Sequence, residues 1–188
     1  HGIYLNDGEI ERLQGSGIAH CPSSNMKLSS GICRTTEIVR AGGKLSIAVD
    51  GSASNDGSNM WEEVRRAYLL NHLKYGTDGL TAYQVLRTAT RGGAEVLGRD
   101  DTGCLDIGKA ADIVLFNLKG IEYSGCHDPL VSLVCLGNSS MVDMTVVNGR
   151  VAVKDGKLTT IDSDQVASAA HKTAAEIVER QRSSIRNQ

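Results

Sequence analysis

The sequence predicts an α/β chain in two parts, strands alternating with helices up to about residue 97 and antiparallel β with a closing helix beyond it. Three observations carry this. Short apolar runs at 17–20 and 45–49 alternate with segments that bear helix caps. A polar, glycine-rich loop, GSASNDGS over 51–58, follows the second run directly. From Asp100 the pattern changes to strand-like runs broken by Asn148-Gly149 and Asp155-Gly156, pairs that favour tight hairpin turns.

Taken in order, Asn6 or Asp7 leading into Glu9 and Glu11 signals a helix start, with Ile10 and Leu13 on one face. Gly17–His20 reads as a strand, ended by Pro22. Thr35–Ala41 reads as a helix closed by Gly42-Gly43, and Leu45–Val49 as a buried strand. Asn59–Tyr75 is a long helix with Met60, Val64, Tyr68 and His72 at i+4 steps, and Thr81–Leu97 is another, closed by Gly98. Ala111–Phe116 and Met141–Val153 are strand-like, and a terminal helix is expected from about Asp162 to Ser183. A boundary is placed between Leu97 and Gly103.

Composition excludes several classes. Lys+Arg 20 against Asp+Glu 22 leaves no basic excess for nucleic acid or an anionic membrane surface. A hydrophobic content of 40% with 22% charged residues is that of a folded domain. No apolar run approaches the roughly 18 residues of a membrane span. The 5 cysteines are odd in number and form no CxxC pair, which predicts reduced thiols in a cytoplasmic protein. A first residue that is His rather than Met leads to the expectation that the chain starts inside a longer protein.

In parallel α/β folds, functional groups gather at the carboxyl ends of strands. Asp50 and His20 meet that rule, and His1 sits where an earlier strand would end. Each has a plain alternative: a turn-forming aspartate, a hydrogen-bonded wall residue and a terminal side chain. Together, a carboxylate and imidazoles could bind a divalent metal, though they are fewer than a usual ligand set. Ser23, Ser24 and Asn25 read either as substrate contacts or as a polar turn closing the strand. Ser52, Ser54 and Asn55 read as substrate contacts or as supports of the loop that aims Asp50. Cys21 and His20 are adjacent on a strand, so their side chains face opposite ways and make a poor nucleophile–base pair.

The stretches HGIYL (1–5), HCPSSNMKLSSG (20–31), VDGSASND (49–56), ATRGGAEVLG (89–98) and GCLDIGKAADIV (103–114) together resemble the amidohydrolase superfamily. The branch is that of the cytosine/guanine deaminases and triazine hydrolases. The resemblance runs along nearly the whole chain in order. It implies the carboxyl-terminal part of a (β/α)8 TIM barrel of the metal-dependent hydrolase type, beginning just after the sixth strand. Residues 1–99 would be the last barrel strands and helices, 100–160 part of a small β-sandwich, and 161–188 the terminal helix.

It further implies one divalent metal, zinc expected and iron the alternative. In the family this metal is held by an early His-x-His pair and a later His, beside a proton-shuttling Glu, none of which lies in this sequence. His1 matches the histidine that hydrogen-bonds water or substrate, and Asp50 the aspartate that touches the metal and takes a proton from water. The implied reaction is hydrolytic deamination of a small purine-like substrate, with 8-oxoguanine the expected ring, in a homo-oligomer that binds neither nucleic acid nor membrane. A triazine or guanine/cytosine-type hydrolase, and a non-catalytic binding or assembly module, are the alternatives.

Overall fold

Strands β1 (Gly17–His20) and β2 (Lys44–Ile47) lie parallel, in register from Gly17 opposite Lys44 to His20 opposite Ile47. The structure is a computed structural model that describes residues 1–136 and 142–186. Between the strands, the chain crosses over through α2 (Pro22–Lys27) and α3 (Thr35–Arg40), the long connection that parallel pairing requires. Before them stands α1 (Asp7–Glu11), opened by a reciprocal capping box between Asn6 and Glu9 as its sequence predicts. After β2 come α4 (Met60–Tyr75), capped by Asn59, and α5 (Ala82–Arg87), capped by Thr81 with Gln84.

The predicted helix 81–97 is interrupted at one place. Residues Thr88–Gly92 form a π-helical turn before α6 (Gly93–Val96) resumes. At Gly92 the helix presses on β2 so closely that a Cβ would stand 2.3 Å from the Leu45 carbonyl oxygen. Only glycine allows that approach. Ile38, Leu45, Val64, Val85 and Val134 close the core between strands and helices. Each such side chain contributes about 1.5–3 kcal/mol on burial.

The second half forms a four-stranded antiparallel sheet, ordered β3 (Ile113–Phe116), β4 (Val142–Val147), β5 (Arg150–Lys154) and β6 (Lys157–Leu158). Both expected hairpin turns are present, with left-handed φ at Asn148 (47) and Gly149 (78) and at Asp155 (51) and Gly156 (71). Met141, assigned to a strand from sequence, lies outside the described residues, as do residues 187–188 of the terminal helix. That helix, α8, runs Ser163–Arg186 and is exposed from residue 163 to residue 185. No described helix is long and apolar enough to cross a membrane.

Two helices escaped the sequence reading. Pro22 was read as a stop, yet it opens α2 at the first helical position, where its missing N–H costs nothing. The segment PLVSLVCL forms α7 (Pro129–Leu136) rather than β structure. Its apolar run has no polar stripe to reveal a period, but Asp128 caps it by accepting from the Leu130 and Val131 N–H groups. Val134 is fully buried, and the Trp61 indole donates to the Leu133 carbonyl at 3.1 Å. Thus α7 packs on α4 and α5.

Candidate active site

Asp50 stands just beyond the carboxyl end of β2 in a left-handed conformation, φ 66, which aspartate tolerates better than most residues. Three side chains converge on its Oδ2. Ser24 Oγ donates at 2.6 Å, Ser54 Oγ donates at 3.1 Å, and His1 Nε2 lies 3.5 Å away. Among the described residues no side-chain donor reaches Oδ1. The Ser24 hydroxyl, then the Gly51 N–H and the Ser54 hydroxyl, hold the Asp50 carboxyl below its ordinary range. It is therefore an anion at neutral pH.

His1 is anchored on the other side, where Nδ1 meets Asn25 Oδ1 at 2.7 Å. With that nitrogen donating, Nε2 is turned toward Asp50 as lone pair or, once protonated, as a second donor. The nearby Cys21 completes a cluster in which one ligand atom each of His1, Cys21 and Asp50 lies within 4.8 Å of the others. Burial, then the charge of Asp50, pushes the Cys21 thiol up, so it is a neutral thiol at pH 7 and a poor ligand or nucleophile. A carboxylate whose Oδ1 has no side-chain donor among the described residues, beside an imidazole, suits a divalent cation such as zinc. The two groups amount to part of a ligand set.

The loop that carries Asp50 is tied down from below. Asn55 Nδ2 donates to the Val49 carbonyl at 2.8 Å and to Glu63 Oε1 at 3.2 Å, while its Oδ1 accepts the Ser58 N–H at 3.1 Å. Glu63 is fully buried on α4. It also accepts the Ser23 N–H at 2.9 Å, the Ser23 hydroxyl, and Arg66 Nη1 at 3.2 Å.

Of the residues singled out from sequence, the structure brings His1, Asn25, Asp50 and Ser54 together and sets Asn55 beneath them. Three others fall elsewhere. His20 is 2% exposed and lines a small space under the helices with Thr35, Leu45, Ile47 and Val85, so it faces the helix layer, not Asp50. Burial is the chief cause that lowers its pKa to about 4, and it is neutral. Ser23 turns inward to Glu63, and it is the next serine, Ser24, that reaches Asp50. The helical start at Pro22 fixes that choice, because neighbouring residues on a helix point about a quarter-turn apart. Ser52 is exposed, and no hydrogen bond among the described residues involves its hydroxyl. Glu63 was missed; a carboxylate in the first turn of α4 reads as a favourable helix-dipole charge and gives no other signal.

A model of the amidohydrolase family matches residues 1–152. The 8-oxoguanine deaminase of Pseudomonas aeruginosa is 48% identical over 177 residues, 93% of this chain and 39% of that protein. A zinc-bound adenosine deaminase from Xanthomonas campestris superposes with a TM-score of 0.90 at 32% identity, over 95% of this chain and 42% of that one. A zinc complex of atrazine chlorohydrolase from Arthrobacter aurescens does so with 0.86 at 33% identity, over 92% and 39%. The chain thus spans about two fifths of the length of these relatives. With the family model running through the residues that build the His1–Asp50 cluster and both parts of the fold, this chain belongs to the amidohydrolase family.

Proposed function

We propose that this chain supplies part of the active site of a metal-dependent aminohydrolase that deaminates an amino-substituted purine, 8-oxoguanine being the favoured ring. The observation that carries this reading is the convergence of Ser24, Ser54 and His1 on one oxygen of an ionised Asp50 at a strand's carboxyl end. The 48% identity to an 8-oxoguanine deaminase supports the choice of ring. In this reading β1 and β2 are the last two strands of a (β/α)8 barrel, residues 100–160 hold part of a small sandwich, and 161–188 form an appended helix.

The residues present suit a divalent metal, with Asp50 its ligand from this chain and further ligands coming from sequence beyond it. When bound, the metal supplies a water acidic enough to attack at neutral pH. Asp50 accepts the proton of the attacking water, and its two serine donors fix the carboxylate's direction. His1, held by Asn25, offers Nε2, once protonated, as a hydrogen-bond donor to the charge that develops as the ring carbon is attacked. Free thiols at all five cysteines agree with a cytoplasmic setting. A homo-oligomer remains the expected assembly.

The test is ammonia release by the zinc-loaded full-length enzyme from 8-oxoguanine, guanine and an aminotriazine, with chloride release from a chlorotriazine alongside. Turnover of 8-oxoguanine that disappears in Asp50→Asn is expected. Deamination of another ring alone overturns the substrate choice, and full activity of Asp50→Asn overturns the mechanism. The likeness to atrazine chlorohydrolase makes triazine hydrolysis the second reading, and the chloride arm decides it.

A further inference from the structure

We infer that Glu63 is a positioning residue for Asp50, acting through Asn55 and Ser23 on the two segments that grip the catalytic carboxylate. The inference rests on the reading of Asp50 as proton acceptor.

Two segments determine where the Asp50 carboxylate points. One is its own backbone, held in the left-handed region at φ 66, a conformation that non-glycine residues adopt at a cost and keep only when their surroundings impose it. The peptide just before it is fixed by the Val49 carbonyl, which accepts from Asn55 Nδ2 at 2.8 Å. The other segment is the first turn of α2, from which Ser24 donates to Oδ2 at 2.6 Å. Both lead back to Glu63. Its carboxylate takes the second hydrogen of Asn55 Nδ2 at 3.2 Å, which orients the amide so that nitrogen faces Val49 and oxygen faces the Ser58 N–H. The same carboxylate takes the Ser23 N–H at 2.9 Å and the Ser23 hydroxyl, and so sets the turn from which Ser24 projects.

A plain structural ion pair accounts for Glu63 less well. Arg66 contacts Glu63 at 3.2 Å but also pairs with Glu62, and its guanidinium is one third exposed, whereas Glu63 is wholly buried. Desolvating a carboxylate costs several kcal/mol, and a buried ion pair often adds no net stability over apolar packing. What Glu63 has that an apolar residue lacks is a set of donors, each leading to a residue beside Asp50.

The experiment uses the zinc-loaded full-length enzyme with 8-oxoguanine, and four variants: Asp50→Asn, Glu63→Gln, Asn55→Asp, and Glu63→Gln combined with Asn55→Asp. The combined exchange restores a donor–acceptor match between positions 55 and 63 and keeps an acceptor for the Ser58 N–H, but leaves the Val49 carbonyl without its donor. Tm and zinc content are expected to return near wild type in the combined variant, while kcat stays down by about tenfold or more with KM within about threefold. The Ser54 and Asn55 amides, which bond the Gly51 carbonyl at 3.0 Å, are expected to exchange faster with deuterium. Recovery of kcat together with Tm, or wild-type kcat in Glu63→Gln while Asp50→Asn is inactive, overturns the positioning role alone. Activity in Asp50→Asn overturns the underlying reading. Should the combined variant not fold, Ser23→Ala decides: a kcat lowered at least about threefold at unchanged Tm upholds the role, and wild-type kcat rejects it.

Discussion

Ser24 Oγ donates to Asp50 Oδ2 at 2.6 Å, joining the first turn of α2 to the residue that follows β2. This is the shortest of the contacts on that oxygen, and its donor is the first cause of the lowered Asp50 pKa. Replacing Ser24 by Ala removes it at a fully buried position that lies outside the apolar core cluster. A hydrogen bond to a charged group is stronger than one between neutral groups, and the partial exposure of Asp50 moderates it, so a loss of about tenfold in kcat/KM is expected. The pH profile should move too. Activity needs the carboxylate, and losing a donor raises its pKa, so the acid limb of kcat/KM against pH shifts to higher pH in Ser24→Ala. An unshifted acid limb would show that Ser24 does not tune Asp50.

His20 sets a stability limit on the acid side. Its folded pKa, lowered to about 4 chiefly by burial, lies below the ordinary value of 6.5. The unfolded chain therefore binds the extra proton first, and stability falls as pH drops from about 6.5 toward 4. Carried through fully, the shift corresponds to about 3 kcal/mol. Tm of the full-length enzyme should decline over that window, and His20→Asn should flatten the decline, since Asn cannot titrate. A decline of equal size in the variant would assign the effect to other groups.

Much of this architecture was legible from residues alone, and the exceptions have physical causes. Asn6 with Glu9 and Thr81 with Gln84 announce helices because each box satisfies two backbone donors that water would otherwise hold. Asn148-Gly149 and Asp155-Gly156 announce hairpins because left-handed φ suits few other pairs. Asp50 was legible because a carboxylate directly after a buried strand stands where such folds keep their chemistry. Ser24 could not be told from Ser23 because their directions depend on α2, which the strand-ending reading of Pro22 does not reveal. His20 was misdirected because strand alternation gives two faces without saying which one is covered by helices. Glu63 could not be found at all, since the partners that tie it to the Asp50 loop and to α2 lie 8 and 40 residues away in sequence.

Gly92 tests the packing between helix and strand. A methyl group at this position would stand 2.3 Å from the Leu45 carbonyl oxygen, a backbone atom that cannot swing aside as a side chain would. Gly92→Ala is expected to lower stability by about 1–3 kcal/mol, the usual cost of overpacking, despite alanine's better helix propensity. The two effects have opposite sign, so a Tm that rises would mean that the π-helical turn relaxes freely. Because β2 leads into Asp50, the same variant should lose activity at temperatures where it is still folded.

Cys21 separates proximity from ligation. Its sulfur lies within 4.8 Å of donor atoms on both His1 and Asp50, close enough to suggest a third ligand. Zinc binds the thiolate, yet burial and the neighbouring Asp50 charge both disfavour that anion. A bound cation would reverse this balance only by overcoming both. The thiol also points a weak hydrogen bond at the Ala19 carbonyl, 3.7 Å away, and so spends its proton on the strand. Cys21→Ala should therefore keep one equivalent of zinc, measured by elemental analysis after dialysis against a weak chelator. It should lose about 1 kcal/mol of stability from the small cavity left behind. Asp50→Ala under the same dialysis should shed the metal. If instead Cys21→Ala sheds zinc as readily as Asp50→Ala, the thiol is a ligand beside Asp50.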